Sequence, residues 1–177
     1  DYEFICWNLT GTTSNINMDV ANKNTIVTAV NSNSGNVTIT PYCIKKLGVN
    51  NVKVNGSAVD VNTIYNKDST ISVTLDHTLN DSQKKYVHLK YKGINLEGAY
   101  FNQSLQNDNS NNTATITFTP IANKYALVTG LDEYVINIDN RISYPFTYDG
   151  ISKDIGISDE YNYRINVNQK SSITHTI

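Results

Sequence analysis

Residue types able to do chemistry are few in this 177-residue chain, and they are scattered. His77, His88 and His175 stand alone, without the HExxH or Cys/His spacing that gathers ligands around zinc, so each reads as a sheet-surface residue. The acidic run from Asp132-Glu133 to Asp139 lacks the glycine and bidentate glutamate of a calcium loop. No glycine-rich phosphate loop, nucleophile elbow or paired-carboxylate motif occurs. The sequence therefore assigns no catalytic residue, metal or cofactor, and an enzyme is not expected.

Two residue sets carry modification chemistry instead. Asn-x-Ser/Thr sequons stand at Asn8, Asn36, Asn55, Asn80, Asn102 and Asn111. With 26 Asn, 19 Thr and 14 Ser, composition alone yields about five such triplets, so their number argues little. Position argues more. Asn55, Asn80 and Asn111 fall in predicted turns, and Asn36 and Asn102 lie near predicted strand ends, where a sugar has room. The alternative is ordinary turn asparagine. Cys6 and Cys43, each in a predicted strand, are expected to form a disulfide, with a free buried thiol as the alternative. Spacing leaves open whether that bond lies within one chain or between two.

Charge excludes other classes. Only Arg141 and Arg164 are arginines among 14 basic residues, against 16 acidic ones, and the lysines are dispersed apart from Lys45-Lys46 and Lys84-Lys85. Nucleic-acid binding has little electrostatic support. No apolar run of membrane-spanning length is present. The 12 tyrosines suit wet core-edge packing, with a recognition surface as the sharper alternative.

The elements that position these residues read as strands throughout. Period-two alternation recurs at Ile16/Met18/Val20, over 26–30, and at Val37/Ile39/Pro41/Cys43, Ile71/Val73/Leu75 and Val87/Leu89/Tyr91. It returns at Ala114/Ile116/Phe118, Tyr134/Ile136/Ile138 and Tyr161/Tyr163/Ile165/Val167, and 171–177 reads as a terminal strand. Turn signals separate them: Asn33-Ser34-Gly35, Asn55-Gly56, Leu79 to Ser82, Gln106 to Asn112 and Asp149-Gly150. The expected fold is all-β, a single Ig-like β-sandwich over 16–177 preceded by an arm and polar hinge over 1–15. Trp7 follows Cys6 directly rather than lying between two cysteines, so the antibody-type signature is absent.

The arm is the most informative stretch. The chain opens at Asp1 without Met, which leads us to expect removal of a leader peptide and an extracellular setting. It runs at once into Tyr2 to Thr10, an alternating apolar segment with the sole Trp. Strand alternation puts Ile5, Trp7 and Leu9 on one face, and Phe4, Cys6 and Asn8 on the other. Burying the first set contributes roughly 5–8 kcal/mol, while ordering the arm's backbone costs roughly 6–12 kcal/mol. The arm therefore needs a strand edge as well as an apolar groove, supplied either by its own body or by another copy.

An alternating arm, the polar hinge Gly11 to Asn15, an Ig-like sandwich rich in Thr and Asn, and many sequons together resemble pilins joined by donor-strand complementation. The layout is similar to subunits of archaeal threads, glycosylated extracellular filaments, and in plan to bacterial chaperone–usher pilins. That resemblance implies a cell-surface filament for adhesion or biofilm, built from copies of one chain and carrying N-linked glycans. Each subunit's arm, through Phe4, Ile5, Trp7 and Leu9, would fill the next subunit's groove. It also implies that a Cys6–Cys43 bond could join neighbours. The competing expectations are a monomeric Ig-like surface adhesin or receptor-binding glycoprotein domain, a viral or eukaryotic surface glycoprotein, and, last, an enzyme.

Overall fold

A computed structural model describes residues 1–31 and 33–169 of the protein. The terminal strand expected over 171–177, with His175, lies outside them. The chain groups into two compact units: Asp1–Lys46 with Pro145–Ile155, and Leu47–Tyr144 with the chain from Gly156 onward.

In the first unit, β1 (Tyr2–Gly11) pairs antiparallel with β4 (Val37–Lys45) as an isolated two-stranded sheet. Between them lie a 3-10 turn at Thr13–Asn15 and a short pair, β2 (Ile16–Asn17) with β3 (Thr28–Ala29). The longer strands expected at Ile16/Met18/Val20 and over 26–30 do not form. Asp19 and Asn22 accept the amides of Ala21 and Asn24, closing local turns that compete with any ladder, and Ile26 remains 81% exposed.

The second unit is a β-sandwich. Its strands are β5 (Val49–Val54), β6 (Ser57–Ala58), β7 (Tyr65–Asn66), β8 (Ile71–Leu75), β9 (Val87–Tyr91), β10 (Ile94–Asn95), β11 (Phe101–Asp108), β12 (Thr113–Pro120) and β13 (Leu131–Ile138). A one-turn helix α1 (Asp81–Lys84) precedes β9. The hairpin of β14 (Ser143–Tyr148) and β15 (Ile151–Gly156) belongs from Pro145 to Ile155 to the first unit, and β16 (Tyr161–Asn168) follows in the second. One sheet runs β11-β12-β8-β5-β6 and the other β10-β9-β13-β16-β7. Taking β5, β8, β9, β10, β11, β12, β13 and β16 as A, B, C, C′, D, E, F and G, the sheets read D-E-B-A and C′-C-F-G. That is the Ig arrangement.

Alternation explains why these segments pair as they do. In β8 and β12, Ile71/Phe118, Val73/Ile116 and Leu75/Ala114 face each other and are all fully buried. The intervening residues turn outward, where Thr74 and Thr115 bring hydroxyls to 2.9 Å. Opposite, Tyr134 pairs with Ile165, and Ile136 lies between Leu89 and Tyr163. Tyr134 is buried whole, its hydroxyl donates to the Lys67 carbonyl at 2.9 Å, and burial pushes the phenol's pKa up. Asn55-Gly56 and Asp149-Gly150 take positive φ at both positions, the conformation that two-residue hairpins demand. The loop expected from Gln106 is shorter than its composition suggested, since β11 pairs as far as Asp108.

Candidate functional site

The arm of the sequence analysis is β1, and its neighbours define the site. Its ladder with β4 runs from Tyr2↔Lys45 to Gly11↔Val37, and the Lys46 amide donates to the Asp1 carbonyl beyond it. Phe4 lies opposite Cys43 and Cys6 opposite Tyr42, so Ile5 is the extra residue of a β-bulge. The bulge resets the faces. Phe4 now shares a face with Trp7 and Leu9, its ring 5.2 Å from Trp7, while Ile5 is buried together with Cys6. The expected Ile5/Trp7/Leu9 face is thereby corrected: a strict period of two does not survive an inserted residue. Trp7 and Leu9 are half-buried, and Ile5 has no exposed surface.

Further groups hold β1 from its other edge. The Trp7 amide donates to the Val20 carbonyl at 2.8 Å, and its indole Nε1 to the Asn22 carbonyl at 3.1 Å. The Lys153 ammonium donates to the Phe4 carbonyl at 2.6 Å and lies 5.3 Å from the centre of the Phe4 ring. On the face carrying Cys6 and Asn8, Tyr148 stacks on Tyr42 with ring centres 4.1 Å apart, and its hydroxyl donates to Asn8 Oδ1 at 3.4 Å. Sequence reasoning had no periodic signal for Tyr42, Tyr148 or Lys153, because two of them come from a hairpin far along the chain. Asp149-Gly150 marked that hairpin, but not where it would lie.

The cysteines do not bond. Both thiols are free, Cys6 buried and Cys43 exposed. Cys43 faces the Phe4 side of the ribbon and Cys6 the Tyr42 side, so the register turns the two sulfurs to opposite faces. That overturns the expected bond within the chain. Burial foremost, with the Asp149 carboxylate adding to it and Lys153 opposing, raises the Cys6 thiol pKa. Cys6 is therefore held protonated and unreactive.

The sequons differ in their freedom. Asn36 and Asn102 are exposed, whereas Asn8 is half-buried with its side-chain carbonyl engaged. Asn55 holds Ser69 and the Thr70 amide, and Asn111 donates to Asp108. Asn80 caps α1, accepting from the Ser82 amide and hydroxyl.

Elsewhere the structure disperses the titratable residues. His88 pairs with Glu97 at 2.7 Å, and His77 stacks on Tyr144. Asp132 accepts the Tyr91 hydroxyl, and Asp139 holds Arg141. Among the described residues, no three His, Cys, Asp or Glu side chains stand where they could share a metal ion. Among the described residues, no helix is long and apolar enough to cross a membrane. A shallow hollow of about 350 Å³ in the second unit is lined by Val61, Asn62, Ile64, Leu131, Asp132 and Asn166, a mixture of apolar and amide groups without a nucleophile.

The geometry thus singles out β1 and its ladder with β4 as the candidate site. Comparison with protein-family models, curated proteins and solved structures finds no match to this chain.

Proposed function

We propose that this chain is a structural subunit of an extracellular surface filament, linked to its neighbours by passing β1 from one copy onto β4 of the next. The observation that carries the proposal is the two-stranded β1–β4 sheet: a ten-residue strand whose ladder partner joins no other sheet among the described residues. A two-stranded ribbon is marginal on its own, and its ladder is the same whether β1 comes from the same copy or another. The connection over 12–36 contains few ladder bonds, and at ~3.3 Å per residue it reaches on the order of 80 Å when extended, so β1 can leave without unfolding the sandwich. The Ig positions of the sandwich are all filled by the second unit's own strands, which makes β4 the acceptor rather than a vacant sandwich groove.

Exchange that proceeds head to tail does not close on itself and yields an open filament, whereas reciprocal exchange yields a closed dimer. N-linked glycans at Asn36 and Asn102 fit such a surface, because both residues are exposed. Negative-stain electron microscopy of the native protein tests the reading, with thin unbranched filaments as the expected result. Filaments should vanish when β1 is tied to its own β4 by paired cysteines at Leu9 and Ile39, which lie opposite each other.

A second reading, a monomeric Ig-like surface adhesin, is favoured by the burial of Ile5 and Cys6 while β1 pairs within its own chain. Monodisperse single particles that bind a surface ligand would select it.

A further inference from the structure

The ladder's hydrogen-bond phase identifies which backbone groups of β4 face outward. The Trp7 amide donates to Val20, away from β4, so the Trp7↔Pro41 pair is one of the non-hydrogen-bonded pairs of this antiparallel ladder. Pro41 therefore turns its nitrogen toward the outer edge of β4, with Ile39 and Cys43 pointing their amides the same way. Among the described residues, β1 is the one strand that pairs with β4, which leaves the edge from Val37 to Ile44 without a second ladder there. The sandwich presents no comparable liability on three of its four edges, which end in the two-residue strands β6, β7 and β10. The β4 edge is long and carries β-branched Val37, Thr38, Ile39 and Thr40, the composition that recruits another strand.

We infer that Pro41 is the residue that closes the outer edge of β4 to a second copy of this chain, restricting association at the ribbon to replacement of β1. Proline has no N–H, so an incoming strand would lose a ladder bond at the centre of the edge and meet the pyrrolidine ring where its carbonyl should approach. The partner excluded is a second β4, because antiparallel edge-to-edge pairing would set two identical β-branched segments across a two-fold axis. The inference deepens the exchange reading but is testable without it, because the outer edge remains open even when β1 stays in its own chain.

The test uses the full chain with Leu9→Cys and Ile39→Cys oxidised to hold β1 in place and Cys43→Ser to prevent mixed disulfides. Sedimentation velocity over a concentration series is the readout, and far-UV circular dichroism with Trp7 emission verifies the fold. The locked chain with Pro41 should remain monomeric. Adding Pro41→Thr, or Pro41→Val as a second side chain, should produce concentration-dependent association at least about tenfold tighter, the worth of one or two restored backbone hydrogen bonds. Moving the guard by replacing Cys43→Ser with Cys43→Pro in the Pro41→Thr chain should abolish that association, because residue 43 faces the same edge. Folded Pro41→Thr and Pro41→Val chains that stay monomeric, or association that survives Cys43→Pro, would overturn the inference. Failure of the exchange reading has a different signature: unlocked and locked chains with Pro41 that are equally monomeric.

Discussion

Replacing Ile5 with alanine is the sharpest probe of how the arm is held. Ile5 is the bulge residue of β1 and has no exposed surface, whereas Trp7 and Leu9 on the other face are half-buried. Ile5→Ala removes three carbons, worth ~2.4 kcal/mol at about 0.8 each, and rises toward ~5 kcal/mol if the cavity does not collapse. Hydrogen exchange is the assay, read at the amides of Cys6, Asn8 and Thr10, which the ladder phase turns toward β4. Their exchange should accelerate from roughly 50-fold to several thousandfold if β1 opens as a local unit, while sandwich amides such as those of β8 and β12 keep their protection. The sole Trp lies on this strand, so its emission should shift to the red over the same opening. Leu9→Ala, at a half-buried site, should cost about 1 kcal/mol, less than half as much. Unchanged protection in Ile5→Ala would refute the anchoring role. Equal losses in β1 and the sandwich would refute the independence that exchange requires.

Other expectations follow from the same geometry. In the native protein an Ellman titration should detect Cys43 alone, with Cys6 appearing only on unfolding, and Cys43→Ser should remove the native signal. Non-reducing gels of any assembly should show no Cys6–Cys43 cross-link, because in-register exchange preserves the opposed sulfur directions. Arg141 donates from Nε and Nη2 to Asp139 at 2.9 and 2.8 Å and holds that carboxyl well below the usual range. A depressed folded pKa stabilises above the unfolded value and is lost as pH falls through the folded one. Arg141→Gln should therefore return the Asp139 titration, followed by carboxyl NMR, toward the ordinary aspartate value, and bring acid sensitivity in at higher pH. Asp68→Asn strips the partner from the buried Lys67 ammonium, 2.9 Å away, and should lower sandwich stability by about 3–5 kcal/mol in urea unfolding.

What the sequence disclosed was whatever local periodicity encodes. The alternation in β8, β9, β12, β13 and β16 gave the buried apolar faces directly, although Asn137 on the other face of β13 is buried as well. Asn55-Gly56 and Asp149-Gly150 announced hairpins through backbone geometry that few other residues adopt. The β2 and β3 region misled because its apolar residues alternate while Asp19 and Asn22 bend the chain between them. The arm's faces were misread for a different reason: a bulge leaves no trace in composition, and one inserted residue moves Ile5 to the side of Cys6. The groups that press on β1 from the hairpin, Tyr148 and Lys153, lie more than a hundred positions away in sequence. No local pattern carries that proximity.

The two outer edges of the ribbon are managed by opposite means, and the difference bears on how the molecule joins others. The outer edge of β1 is occupied: the Val20 carbonyl takes the Trp7 amide and Lys153 takes the Phe4 carbonyl. Both bonds come from segments of the same unit, so a strand arriving there must displace them. Along the outer edge of β4 from Val37 to Ile44, no described strand pairs, and Pro41 interrupts it. What remains is the inner ladder, where the full set of backbone bonds is already satisfied and can be satisfied again by an identical strand. Replacement there conserves the β1–β4 ladder, whereas the bonds of Trp7 to Val20 and Asn22 come from the connection and must be remade, so its net free energy is governed by the connection and by concentration. A ribbon open at an outer edge would grow sideways into sheets. One open only by replacement would pass a single strand from each copy to the next, and growth would then be limited to one dimension.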